Sequence, residues 1–137
     1  KPKVKTFAPS NIEEIINVNF VEDKTTITFD NYAVMGDLIK VTDLTVTGGN
    51  DADTNAFTIY TSYVDKNGVT QKLDVRVDNN TNLVGPDGQR ITSYQYFSGK
   101  TIKELVAQVS YFDYNVDDNY DGYVQLMLSS LNDIVLE

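Results

Sequence analysis

Hydrophobic and polar residues alternate with a period of two along most of this chain, the signature of β-strands with one buried face. The alternation is cleanest in Val69–Val77 (VTQKLDVRV). Leu73, Val75 and Val77 fall on one side there, and Lys72, Asp74 and Arg76 on the other. Phe57–Val64 (FTIYTSYV) puts Phe57, Ile59, Thr61 and Tyr63 on one face and Thr58, Tyr60, Ser62 and Val64 on the opposite one. Between the two runs, Asp65-Lys66-Asn67-Gly68 predicts a tight hairpin, because Asn-Gly tolerates the positive φ of such a turn. Lys24–Phe29, Gly36–Thr47, Ile102–Tyr114 and Tyr123–Leu131 complete the strand set. Gly48-Gly49-Asn50-Asp51 reads as a break after the second of these.

The helical period appears once. Ile12, Ile15 and Ile16 follow Ser10-Asn11-Ile12-Glu13, a capping-box pattern, and predict a short amphipathic helix over 11–18. Residues 78–90 are turn chemistry throughout, and Ser93–Phe97 holds at most one helical turn. Tyr96 and Phe97 suit a plug at one end of the β structure, since aromatic rings bury large areas. Residues 1–9 read as a linker and 10–137 as one domain, with Leu136-Glu137 as an appended tail of no functional weight. A helix, a preliminary strand and then five mostly antiparallel strands predict an all-β fold: a five-stranded barrel, or alternatively a β-sandwich.

Composition narrows the chemistry. The 137 residues include no cysteine and no histidine. That excludes disulfides, thiolate and imidazole metal sites, and the Ser-His-Asp triad. Any metal would be a hard cation held by oxygen. Eleven basic residues against 20 acidic ones leave a net charge of −9, the opposite of a nucleic-acid footprint. Arg90, Lys100 and Lys103 face eight acids across residues 79–137, a net of −5. No apolar run approaches the roughly 20 residues needed to span a bilayer, so no membrane insertion is expected. Nine tyrosines beside no tryptophan, with abundant Asn, Asp and Thr, suit a secreted or surface-exposed domain.

The C-terminal third carries a more specific pattern. Gly99-Lys100-Thr101-Ile102, Val106–Phe112 (VAQVSYF), Tyr123–Met127 (YVQLM) and Asn132-Asp133-Ile134 follow one another in order. This resembles the last two strands of OB-fold domains, five-stranded Greek-key barrels, that accompany bacterial secreted nucleases and surface lipoproteins. The resemblance covers roughly residues 36–134, with its specific positions in 99–134. It implies a non-catalytic, extracellular or cell-surface-anchored binding or spacer module. It also implies a ligand face on the second and third barrel strands, flanked by the first and fourth loops. Here those loops are 48–55 and 115–122.

Two kinds of candidate site follow. Tyr60, Lys72 and Arg76 form a stacking-plus-cation patch on the outer strand faces, the minimum for single-stranded nucleic acid or a glycan. Asp117-x-Asn119-x-Asp121-Gly122 matches the first half of a calcium loop. The bidentate Glu of the twelfth position is replaced by Leu128, so this is not an EF-hand. Asp51 and Asp53 form a second oxygen-rich run, expected at the same end of the barrel. No cofactor is implied beyond a hard cation such as calcium, which this oxygen donor set suits. A sandwich would point instead to a carbohydrate-binding or adhesion module with structural calcium. An enzyme is not expected, because turn carboxylates are solvated and lack the cleft and raised pKa that acid–base catalysis needs.

Overall fold

The computed structural model describes residues 4–16, 18–20, 27–29, 36–112 and 123–137, with the backbone alone at 15–16, 18–20 and 27–29. In chain order the strands are β1 (Lys5–Phe7), β2 (Val18–Phe20), β3 (Ile27–Phe29), β4 (Leu38–Asp51), β5 (Phe57–Val64), β6 (Thr70–Val77), β7 (Thr101–Phe112), β8 (Tyr123–Met127) and β9 (Ile134–Leu136). The described residues also hold a short helix, α1 (Glu13–Ile16), and 3-10 turns at Tyr94–Phe97 and Leu131–Asp133.

The β5–β6 hairpin forms where the alternation is cleanest. Leu73, Val75 and Val77 are buried, and so are Phe57, Ile59, Thr61 and Tyr63 opposite them. Its turn is held by Asp65, whose Oδ1 accepts the backbone N–H groups of Asn67 and Val69, both at 2.9 Å. Gly68 supplies the positive φ, at 78°.

Pairing then runs around a ring. β4 pairs antiparallel with β5, β5 with β6, β8 with β7, and β7 back onto β4, while β6 and β8 are parallel. The ring β4-β5-β6-β8-β7 is a closed, OB-like Greek-key barrel. Closure through β4–β7 excludes the sandwich, which would leave two separate sheets. β1 adds parallel to β4 and β9 antiparallel to β7 as outer strands, and β2–β3 forms a separate two-stranded ribbon.

β4 can serve two neighbours because it bends. It pairs with β7 over Leu38–Thr45 and with β5 from Thr45 onward. Burial along it runs Ile39 and Val41, then Leu44 and Val46, a one-residue change of phase at Asp43. Asp43 takes φ 61°, and on β7 the buried positions jump likewise from Ile102 to Leu105. A register shift between Ile102 and Glu104 against β9, and another between Val46 and Gly48 against β5, are the bulges that curl the sheet.

Several expectations change here. Gly48-Gly49-Asn50-Asp51 does not break the strand; β4 continues through Asp51. Neither glycine has a positive φ. Gly49 is needed because the Tyr94 ring lies where its side chain would be. Residues 1–9 are more than a linker: β1 lies in the main sheet, and Phe7 is fully buried. The end of the chain is structural too. Leu136 pairs with Ile102, and Glu137 exchanges backbone hydrogen bonds with Thr101 at 2.8 and 3.1 Å. The helix is one turn rather than 11–18, because Val18–Phe20 pairs as a strand with Ile27–Phe29. Asn11 Oδ1 accepts from the Ala8 N–H at 2.7 Å, and a hydrogen bond with Asp65 raises the Glu13 carboxyl above its ordinary value.

The long β6–β7 connection carries a single 3-10 turn, as its sequence indicates. Phe97 from that turn is fully buried, its ring 6.1 Å from that of Phe57. Among the described residues, Phe7, Phe57 and Phe97 are the largest fully buried side chains, each contributing about 1.5–3 kcal/mol of burial. Tyr96 packs edge-on against Phe97 but stays 39% exposed, so Phe97 is the plug and Tyr96 its outer cover.

Candidate functional site

The hairpin register decides which outer side chains meet. Tyr60 pairs with Asp74, Thr58 with Arg76, and Ser62 with Lys72. All of these alternate with the inward apolar positions, so they lie on the outer barrel face. Tyr60 is 41% exposed there. Tyr60, Lys72 and Arg76 therefore share one surface, as their spacing indicates.

That surface is concave. A groove of about 450 Å³ is lined by Tyr60, Lys72, Asp74, Tyr123 and Thr47. Beside it, a smaller hollow of about 180 Å³ is lined by Thr58, Arg76, Phe112, Gln125 and Asn50, with Tyr123 again part of the wall. Tyr123 thus stands between two compartments, each with one cation. The Phe112 and Tyr123 rings lie 6.0 Å apart at 60°, a tilted aromatic pair.

The cations differ in freedom. Arg76 Nη1 donates to Thr58 Oγ1 at 3.0 Å, and its Nε lies 3.6 Å from Asp78 Oδ1. Those contacts fix the guanidinium against the sheet. Lys72 has no ion pair within 4.0 Å among the described residues, but its charge acts on Asp74. Burial raises the Asp74 carboxyl above its ordinary value, while the Lys72 ammonium and a hydrogen bond from Tyr123 pull the other way.

The oxygen-rich runs fare differently. Asp51 Oδ2 accepts from Ser93 Oγ at 2.6 Å and Oδ1 from the Tyr94 N–H at 3.0 Å. Its carboxylate therefore ties the 3-10 turn to the end of β4. Asp53 is exposed in the β4–β5 turn. Among the described residues, no group of three or more His, Cys, Asp or Glu converges on one point. Asp117, Asn119 and Asp121 lie outside the described residues. The smaller hollow brings Asn50 of β4 beside Phe112 and Tyr123, the residues that bracket segment 113–122.

Sequence reading missed Asp74, Tyr123 and Phe112 as site residues. Asp74 was visible on the polar face of its strand, but nothing local marked its burial. Tyr123 opens a strand in which Val124, Gln125 and Leu126 are all buried, so alternation could not orient it. Among the described residues, no helix is long and apolar enough to cross a membrane. Comparison with protein-family models, with curated proteins and with solved structures gives no match.

Proposed function

We propose that this chain is a non-catalytic, OB-like binding module of an extracellular bacterial protein. Its ligand is a short single strand of nucleic acid, held on the outer face of β5, β6 and β8 mainly through its bases. The observation that carries this reading is the joining of three aromatic rings, Tyr60, Phe112 and Tyr123, to two cations, Lys72 and Arg76, across adjoining grooves. Base–aromatic stacking is sequence-tolerant and contributes about 1–3 kcal/mol per base.

The net charge of −9 sets the character of the binding. With Lys72 and Arg76 as the cations that line these grooves among the described residues, two phosphates are neutralised. Binding is then weak and shallow in salt, with a log–log slope no steeper than about −1.4, from −0.7 per phosphate on a single strand. A salt titration of fluorescence anisotropy with a labelled thymine strand tests this. Saturable binding with that shallow slope supports the reading. No affinity even at low salt refutes it, and saturable binding of an uncharged oligosaccharide instead assigns the face to a glycan.

A further inference from the structure

Asp74 is the residue that a nucleic-acid face should not contain unless something in the ligand answers it. It lies between Lys72 and Arg76 on β6, two residues from each, so the three alternate in charge at about 7 Å spacing. It is the register partner of Tyr60 and helps line the larger groove with Tyr60 and Tyr123. A carboxylate there repels phosphate. It accepts strongly from N–H donors, and charge-assisted bonds of this kind are about twice as strong as neutral ones.

The base edges sort the candidates. A base stacked on Tyr60 turns its edge across the groove toward Asp74. Guanine presents two adjacent donors on its Watson–Crick edge, N1–H and the exocyclic amine, which match the two oxygens of a carboxylate. Adenine and cytosine offer one amine beside a ring-nitrogen acceptor, which a carboxylate repels. Thymine offers one N–H between two carbonyls. Single-stranded bases expose these edges to be read.

We propose that Asp74 reads the Watson–Crick edge of a guanine stacked on Tyr60, making this face selective for guanine-containing single strands. The assignment rests on the nucleic-acid reading above. Tyr123 and Lys72 position the carboxylate, and the smaller hollow beside Tyr123 receives the neighbouring nucleotide.

The test compares three short labelled strands: thymine alone, alternating guanine and thymine, and the same strand with hypoxanthine replacing guanine. Hypoxanthine differs from guanine only by lacking the exocyclic amine. The guanine strand should bind at least about tenfold tighter than the thymine strand, the scale of hydrogen bonding to a charged group. Hypoxanthine should lose most of that gain. Asp74→Asn should abolish the preference, bringing the guanine and thymine strands to the same affinity as each other. Equal binding of all three strands, or a preference that survives Asp74→Asn, overturns the assignment and leaves the stacking face standing. Absence of binding by any strand overturns the proposed function itself. The hypoxanthine comparison uses the unaltered protein and does not depend on how the variant folds.

Discussion

Gly48 and Gly49 are indistinguishable in the sequence, and the structure predicts opposite results from changing them. A Cβ on Gly48 would meet only Tyr60 Cδ2, at 3.8 Å, an ordinary van der Waals contact. A Cβ on Gly49 would overlap Tyr94 Cγ and lie 2.5 Å from both Tyr94 Cβ and the Thr58 carbonyl oxygen. Two of those three atoms belong to the backbone or its first side-chain carbon, so a rotamer change cannot relieve the clash. Asp51 also ties Ser93 and Tyr94 to the end of β4, so the ring is not free to retreat. Overpacking of a filled site costs about 1–3 kcal/mol, and this geometry places Gly49→Ala near the top of that range. For a domain of this size about 3 kcal/mol corresponds to a fall in Tm of roughly 10 °C. Gly48→Ala should stay within about 0.5 kcal/mol of the parent. Thermal and urea unfolding followed by circular dichroism measure both. Tyr94→Ala in the Gly49→Ala background should recover only part of the loss, since the Tyr94 Cβ and Thr58 oxygen remain. Equal melting of the two single variants would refute the packing argument.

Other expectations follow from the same contacts. Asp51→Ala should cost about 1–2 kcal/mol by releasing Ser93 and the Tyr94 N–H, the low end for bonds to an exposed carboxylate, and calorimetry would read it. Tyr60→Ala should weaken strand binding by about 1–3 kcal/mol with little change in Tm, since the ring is partly exposed; an unchanged affinity removes Tyr60 from the site. Asp65 is held down to about 2 by the Gln71 amide and the Val69 N–H, against an ordinary 3.8. Its contribution is therefore fully present above the ordinary carboxylate value and is lost as pH falls from about 4 toward 2. Glu13 and Asp74 are raised, so their terms run the other way, favouring the folded state as pH falls. The stability difference between the parent and Asp65→Asn should accordingly shrink across that acid window, and a constant difference would contradict it.

Local chemistry is legible from residues close together in sequence. The alternation of Leu73, Val75 and Val77 with Lys72, Asp74 and Arg76 specifies both faces of β6. Asp65-Lys66-Asn67-Gly68 specifies its turn, and together they place Tyr60, Lys72 and Arg76 on one surface. The bend in β4 was also written there, in the slip from Ile39 and Val41 to Leu44 and Val46, although a glycine pair nearby was the louder signal.

Whatever depends on a distant partner was not legible. Three residues, Lys5–Phe7, are too few to show a period, yet Phe7 is fully buried once β1 joins β4. Ile134–Leu136 becomes a strand only because β7 offers an edge. Asp51 and Asp53 look alike as oxygen donors, but Ser93 and Tyr94 arrive from more than forty residues away to occupy the first. The groove needs Tyr123 from β8 beside Tyr60 from β5, and that meeting exists only because β6 and β8 run parallel. Strand faces follow from neighbours two residues apart. Barrel closure, the closeness demanded at Gly49 and the setting of Asp74 follow from contacts between segments that the chain itself keeps far apart.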